Sequence, residues 1–554
     1  MTWPKEHPNY MPSYDELYAE NASPDASTPP PAENVVKLRP EHADDDDGGD
    51  GGDGVRRGKA RQADELIDLF HDGYEVGCSL EGEPFAVRHD GAGVALPLRG
   101  SRSGLRADLA ARYRRSTGRA PSAGSLADAL LVIEGEASEA EPTALHLRVA
   151  HHDDAVVIDL GDTDGRVVVI KPSGWEVTDR SPVLFRRTAL TGRLPVPVPG
   201  GDLDDVRRLL NLRAEMWPLV LAYLVAAFLP TIPHAVLAVL GMQGTGKSTF
   251  VRLLCRLVDP SPAQLRTAPK DVETWVLAAS GSYVVALDNI SDLSAWLSDA
   301  LCRASTGEGL VRRRLYSDTD LSVVAFRRVV ALTSIDAGSL RGDLADRLLL
   351  VDLDRIDPGD RRLDSDIEER FEAVWPQAFG ALLDLTSAVL ETLPDVHLDR
   401  PPRMADFARV VAAVDDVLGT DALGRYVKQG QRVAEDVIDS SPVASAVCAF
   451  MDKRTDWTGT ASELLAEITP DPAPKSWPKT ARGLSGSLTR SEPALLEVGI
   501  EITRQDRTGT ARRLTLTKKK KEGDQTVTTV TTVTTHDGHD GHDGSAPTPS
   551  IGAS

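Results

Sequence analysis

The stretch Leu240-Gly241-Met242-Gln243-Gly244-Thr245-Gly246-Lys247-Ser248-Thr249 constrains this chain more than any other. It satisfies G-x-x-x-x-G-K-[ST] in full. The apolar run Ala235–Leu240 precedes it, and Phe250–Val258 follows with apolar residues at helical spacing. Strand, glycine-rich loop and helix are the parts of a phosphate-binding P-loop. The glycines let backbone N–H groups converge on phosphate oxygens, and the helix N-terminus adds partial positive charge. Gly241 through Thr249 are therefore the expected cradle for ATP. Lys247 is placed to reach the β- and γ-phosphates and the Ser248 hydroxyl to ligand Mg²⁺.

At 554 residues and 41% hydrophobic content, the chain has room for three or four domains with real cores. Its formal charge of −22 argues against a protein that coats nucleic acid uniformly, although net charge hides local distribution. The four cysteines are far apart and lack metal-ligand spacing, which suits a reducing compartment. No signal peptide is legible at the N-terminus, and the apolar stretch Trp217–Leu229 is too short to span a bilayer. These features predict a soluble, cytoplasmic protein. Residues 1–62, with a triple proline and an Asp/Gly run, predict a disordered acidic tail.

Residues 63–200 read as an N-terminal α/β domain. Helices are expected at Ala63–Phe70 and Leu105–Arg115, and strands at Ala144–Val149, Asp154–Leu160 and Val167–Ile170. The cluster His151-His152-Asp153-Asp154, with Asp159, Asp162 and Asp164, superficially resembles a catalytic metal site. Its residues fall where turns are expected, and Asp is an ordinary turn former. A Pro/Gly linker at 195–201 leads into a helical collar over 201–231.

The nucleotide-binding core is expected over 232–360. After the P-loop helix, the apolar strand Tyr283–Leu287 ends in Asp288, the position of a Walker B carboxylate that holds Mg²⁺ through water. The next residue is Asn289, which can orient a water but cannot take its proton. A hairpin is expected from Leu310–Tyr316 and Leu321–Phe326, with Arg312, Arg313 and Arg314 on its first arm and the acidic Ser317–Asp320 at its tip. The apolar strand Val329–Ser334 follows, then Asp343-Leu344-Ala345-Asp346-Arg347.

The order of P-loop, Ala-Leu-Asp-Asn, basic hairpin, Thr-Ser-ending strand and Asp-Leu-Ala-Asp-Arg resembles superfamily 3 helicases of the AAA+ P-loop class. It is most similar to the phage and plasmid primase-helicases of mobile elements in high-GC bacteria. The resemblance implies a DNA helicase acting as a homo-oligomeric ring, six copies in that family, in mobile-element DNA replication. It implies that Thr333 and Ser334 occupy the sensor position, where the family often has Asn. It further implies that Arg347 (or Arg341) completes a neighbouring copy's site, unless Arg347 instead pairs with Asp343 or Asp346. The hairpin would grip DNA in a central channel, although the acidic tip departs from the family pattern.

Residues 361–440 are expected to form a helical lid. Beyond it, three helical segments (Val443–Met451, Thr460–Ile468, Pro478–Leu488) precede two strands, Val498–Gln505 and Arg512–Thr517. That order reads as a winged-helix DNA-binding domain over 441–521. Residues 475–521 hold twelve Lys/Arg against four Asp/Glu in an otherwise acidic chain, the footprint of phosphate contact. Lys479, Arg482 and Arg490 would sit on or beside the recognition helix, and Arg504, Arg507, Arg512 and Arg513 along the wing. Residues 522–554 are low-complexity and expected to be disordered. The fold class expected is thus α/β: an AAA+-type P-loop ATPase core with an N-terminal α/β domain, a helical lid and a C-terminal winged helix.

Overall fold

The computed structural model describes residues 52–99, 104–291, 293–308, 310–313, 321–324, 326–335, 342–475, 477–505 and 513–519. Both expected tails lie outside these residues almost entirely. The chain divides into Met1–Arg57 and Gly58–Ser554. In the first unit only the start of the helix Gly52–His71 is described, and the second contains everything below.

The N-terminal region begins with a six-stranded mixed sheet in the order Pro142–Thr143, Tyr74–Ser79, Pro84–Arg88, Val94–Pro97, Leu184–Arg186, Leu145–His146. Helices Leu105–Thr117 and Ala123–Glu139 pack their apolar sides with Leu66, Phe70 and Tyr74 into a core of their own. The three strands between residues 74 and 97 were not expected, because glycines and short lengths dilute their period-two pattern. A four-stranded antiparallel meander follows, formed by Val149–His152, Ala155–Asp159, Val167–Lys171 and Gly174–Thr178. Of the His/Asp cluster, Asp153 and Asp154 make the first turn and Asp162 and Asp164 lie in the next loop, while His151, His152 and Asp159 are strand residues. Asp153 takes the left-handed conformation at φ 53°, while Asp159 is paired with Arg187 and Asp162 with Arg166. No group of three or more potential metal ligands occurs among the described residues.

A five-stranded, all-parallel sheet forms the centre, ordered Leu265–Arg266, Val284–Ile290, Val329–Ser334, Val236–Leu240, Leu348–Asp352. Its strands read as continuous apolar runs because both faces are covered. One face packs against helices Lys247–Val258 and Trp217–Ala227, the other against Val272–Gly281 and Ala295–Thr306. Helix Trp217–Ala227 is buried all round, which explains an apolar stretch that is not amphipathic.

The stretch Asp364–Asp395 has the length and apolarity of a membrane-crossing helix. Phe371, Trp375, Phe379, Leu382 and Val389 of its helix Asp364–Thr392 instead lie in the main core. The meander docks on this helix: Trp175 Nε1 donates to Asp384 at 2.7 Å and Ser387 Oγ to the Lys171 carbonyl at 2.6 Å. The Pro/Gly linker also lies along it, and a Cβ at Gly380 would sit 1.9 Å from the Val198 carbonyl oxygen, so only glycine fits. Helices Ala405–Leu418 and Ala422–Ser440 complete the helical region.

The C-terminal unit runs helix Pro442–Met451, strand Asp456–Thr460, helix Ala461–Ile468, helix Ala481–Glu497, then strands Ile500–Arg504 and Arg513–Lys518. The strands form a three-stranded antiparallel sheet with Arg513–Lys518 in the middle. Strand Asp456–Thr460 was not expected, since five residues with one glycine give little periodicity. The third helix starts at Ala481, with Thr480 capping Gly483 N–H, and continues to Glu497 through Pro493.

Candidate functional site

The glycine-rich loop leaves the C-terminal end of strand Val236–Leu240 and enters helix Lys247–Val258. Gly241, Gly244 and Gly246 all have positive φ, at 149°, 79° and 83°. A Cβ at Gly241 would meet the Leu353 carbonyl oxygen at 2.8 Å and Thr245 Oγ1 at 2.9 Å, so the first turn of the loop has no room for a side chain. Thr245 is buried, and its hydroxyl donates to the Met242 carbonyl at 3.1 Å. Met242, Gln243 and Gly244 are exposed at the loop's crest. The loop thus exposes backbone at a helix N-terminus, where N–H groups have no intrahelical partner.

Lys247 folds back over the loop, its ammonium donating to the carbonyls of Gly241 (2.5 Å) and Met242 (2.9 Å). Partial burial draws its pKa below the ordinary lysine value, and the Asp288 carboxylate partly offsets this. The Ser248 hydroxyl lies 3.0 and 3.1 Å from the two carboxylate oxygens of Asp288. Asp288 belongs to strand Val284–Ile290, two strands from the P-loop strand, and Val329–Ser334 lies between them.

That intervening strand supplies a contact the sequence did not single out. Thr333 Oγ1 donates to Asp288 Oδ1 at 2.6 Å and accepts the backbone N–H of Asn289 at 2.7 Å. One hydroxyl therefore fixes both the carboxylate and the backbone beside it. The register shifts between Leu287 and Ile290, giving the Asp288 strand one extra residue, and Asn289 sits there at φ 58°. Asparagine is among the few residues other than glycine that tolerate this region. The Asn289 side chain is exposed. Ser334 turns the other way and donates to the Ile290 carbonyl at 2.8 Å, buried. The sequence placed Thr333 and Ser334 together at this strand end; the structure brings the Thr333 hydroxyl onto Asp288 and the Ser334 hydroxyl onto the Ile290 carbonyl.

Arg347 immediately precedes strand Leu348–Asp352. Its carbonyl accepts the N–H of Val236, at the start of the P-loop strand. The two strands run parallel with Val236 opposite Leu348 and Leu240 opposite Asp352. Arg347 is therefore at the edge of the sheet opposite to the P-loop, about 16 Å away along the strand at 3.3 Å per residue. Asp346 pairs with Arg403 at 3.5 Å. Arg341 lies outside the described residues.

Beside the P-loop opens a cavity of about 460 Å³ lined by Leu209, Asn211, Gly244, Phe250, Ile356 and Ile367 among others. Asn211 ties its wall together, donating through Nδ2 to the carbonyls of Thr245 (3.1 Å) and Asp354 (2.5 Å). Nothing in the sequence marked Asn211, because its partners are backbone atoms 34 and 143 residues away.

Two family profiles match the chain. Residues 203–436 match "Actinomycete integrative conjugative element replication protein", and residues 443–532 match the C-terminal domain of the same replication protein, RepA. The chain belongs to this family. It is a replication-associated protein of mobile genetic elements. Among solved structures, the apo NrS-1 C-terminal region (305–718) is similar at 14% identity, with 82% of this chain and 99% of that chain covered and a TM-score of 0.36. The X-ray structure of JCV helicase is similar at 14% identity over 42% of this chain and 64% of that one, with a TM-score of 0.23. A comparison with curated proteins gives no match.

The profile over 443–532 covers the basic C-terminal unit of this replication protein. Lys479, Arg482 and Arg490 are exposed at the start and along the outer side of helix Ala481–Glu497. Arg513 is exposed on the central strand. Arg504 is engaged within the fold instead, bonding Glu492 at 2.7 Å and Thr489 Oγ1 at 3.1 Å and so bracing strand against helix. Arg312 and Arg313 are on strand Leu310–Arg313, which pairs antiparallel with Leu321–Val324. Their side chains, with Arg314, Arg507, Arg512 and the hairpin tip, lie outside the described residues.

Proposed function

We propose that this replication protein is an ATP-dependent DNA helicase or translocase of the superfamily 3 type. The observation that carries the reading is the Lys247–Ser248–Asp288–Thr333 arrangement at the mouth of a helix N-terminus. ATP phosphates would lie on the Gly241–Gly246 backbone, with Lys247 exchanging its carbonyl contacts for phosphate oxygens. The Ser248 hydroxyl would ligand Mg²⁺ directly and the Asp288 carboxylate would hold it through water, with the remaining ligands coming from nucleotide and water. The ion, when bound, would neutralise charge on the transferred phosphoryl group. The cavity bordered by Leu209, Asn211 and Ile356 is where the base and sugar would extend. The core would then be of AAA+ type, with 361–440 as its lid.

Placement of Arg347 at the far edge of the sheet supports its service to a neighbouring copy in a homo-oligomeric ring, hexameric by resemblance. The C-terminal order of helix, strand, two helices and two strands is that of a winged helix, and Lys479, Arg482, Arg490 and Arg513 give it a basic outer surface suited to DNA. The hairpins carrying Arg312–Arg314 would track the strand as ATP turns over. Strand displacement on a forked duplex, by wild type beside Lys247→Ala, tests the proposal. Unwinding by wild type alone is expected, and equal inactivity of both sinks it.

A second reading is favoured by one residue. Asn289 stands beside Asp288 and has no proton-accepting group. An ATP-gated DNA-binding switch or initiator needs no fast hydrolysis. It predicts ATP-dependent retention on DNA with turnover that DNA does not stimulate.

A further inference from the structure

The region before residue 203 lies outside both family profiles, and its helix Leu105–Thr117 presents an unusual surface. Residues 105–119 contain Arg106, Arg112, Arg114, Arg115 and Arg119 against the single acid Asp108, in a chain of net charge −22. Several arginines elsewhere are engaged by carboxylates: Arg148 with Asp259, Arg166 with Asp162, Arg187 with Asp159, Arg256 with Glu368. Here they are not. Asp108 is turned to the protein, accepting the Tyr74 hydroxyl and lying 3.8 Å from Arg88. The Arg112 guanidinium lies over the Tyr74 ring, 4.6 Å from its centroid. Among the described residues, Arg106, Arg114, Arg115 and Arg119 make no ion pair or side-chain hydrogen bond, and all four are exposed.

The helix that carries them is held firmly. Leu105, Leu109 and Tyr113 are buried, and the Tyr113 hydroxyl sits between Gln62 (3.2 Å) and Glu65 (3.1 Å). At 100° per residue, Arg114 and Arg115 fall on the side opposite to that buried stripe, while Arg106 emerges about 60° from its centre at the N-terminal end of the helix. Arg119 follows just after the left-handed cap at Gly118. Helical rise from Arg106 to Thr117 spans roughly 16 Å, a length over which duplex DNA carries about ten phosphate charges. Arginine suits such a partner because its planar fork bonds phosphate oxygens bidentately.

We propose that Leu105–Arg119 is a second nucleic-acid contact, a sequence-independent phosphate-backbone clamp in the N-terminal domain, separate from the basic C-terminal unit. It rests on the reading that this protein works on DNA. Its contribution is electrostatic, so it acts through counterion release. Each lost phosphate contact lowers the salt slope of binding by about 0.9 on duplex and 0.7 on single strands.

The test uses the full chain and fluorescence anisotropy of a labelled 30-mer, single-stranded and duplex in separate arms, between 50 and 200 mM salt. Three variants are compared with wild type: alanine at Arg106, Arg114, Arg115 and Arg119 together; lysine at the same four; and Lys479→Ala/Arg482→Ala in the C-terminal unit. The alanine set should lower the slope by roughly two to four in at least one arm, and the lysine set should keep most of it. ATPase activity without DNA should be unchanged in both. If the alanine set binds like wild type while Lys479→Ala/Arg482→Ala weakens binding, the clamp is overturned and the DNA reading stands. Equal loss in the lysine and alanine sets also overturns the clamp, since a lost fold rather than lost charge would then be the cause. Wild type that binds neither probe overturns both.

Discussion

Removing the charge of Asp259 should disconnect the parallel-sheet core from the domain before it. Asp259 caps the P-loop helix at its C-terminal end and is buried. Its Oδ1 accepts Arg148 Nε at 2.8 Å, and its Oδ2 accepts the backbone N–H groups of Tyr283 and Val284, both at 3.0 Å. Arg148 is fully buried and also donates to the carbonyls of Asp159 (2.7 Å) and Gly192 (2.6 Å). One ion pair thus joins the meander, the segment at Gly192 ahead of the linker, the P-loop helix and the start of the Asp288 strand. Breaking a buried pair from one side leaves an uncompensated charge, at a cost of about 3–5 kcal/mol. Asp259→Asn and Arg148→Met should each cost about that much, lowering the first thermal transition by on the order of 10 °C. The double variant should cost less than the two singles together, by about 2 kcal/mol or more, because neither charge is left alone. Calorimetry of the four proteins completes the cycle, read on the first transition because a chain of several units does not unfold in one step. Additivity within about 0.5 kcal/mol would refute the reasoning, since uncoupled sites behave that way.

Three further outcomes are expected. Thr333→Val should slow ATP turnover far more than Ser334→Ala, measured by phosphate release. It removes the donor to Asp288 and orphans the Asn289 N–H, whereas Ser334 donates to the Ile290 carbonyl; equal effects would show that the threonine is not what holds the carboxylate. Arg347→Ala should lower ATPase by about a thousandfold or more, and mixing it with Lys247→Ala should restore part of the activity, which no within-copy role of Arg347 predicts. His234 is buried, and burial, aided by the charges of Arg327 and Arg328, lowers its pKa from 6.5 to about 3. The unfolded chain takes up this proton first, so stability is complete above about pH 6.5 and is lost as pH falls from there toward 3. His234→Phe should lessen the drop in melting temperature between pH 7.5 and pH 5; an unchanged drop would place the acid sensitivity elsewhere.

What the sequence revealed, and what it hid, follows from how far each signal travels along the chain. The P-loop was legible because strand, loop and helix are contiguous over some twenty residues and each glycine has a steric reason. Strands Val284–Ile290 and Val329–Ser334 were legible because central parallel strands are apolar throughout. Thr333 was identified only as one of two polar residues at a strand end, since choosing between them depends on a one-residue bulge in a neighbouring strand. Asn211 and the Arg148–Asp259 pair were not legible. Their partners are backbone atoms or side chains up to 143 residues distant, and no local pattern encodes such pairs. The short strands at Tyr74–Pro97 and Asp456–Thr460 were missed because four to six residues, some of them glycine, give too little alternation to read. In the C-terminal unit the Arg504 signal was electrostatic in sequence and mechanical in the fold, where Glu492 occupies it.

The polarity of the central sheet links these observations. In a parallel sheet every strand's C-terminal end lies at one edge, and there the P-loop, Asp288 and Thr333 gather. Arg347 enters at the other edge, level with Val236. No side chain spans the roughly 16 Å of strand between them, so Arg347 cannot complete the site of its own copy. On the proposed reading, ATP turnover must then depend on a second copy presenting its opposite edge. That makes specific activity rise with protein concentration until assembly saturates, whereas a copy that suffices alone would show a constant value. The same geometry gives Asn289 a distinct meaning. With charge arriving from a neighbour and an asparagine rather than a carboxylate next to Asp288, assembly rather than the residues of one copy would set the rate at which ATP is consumed.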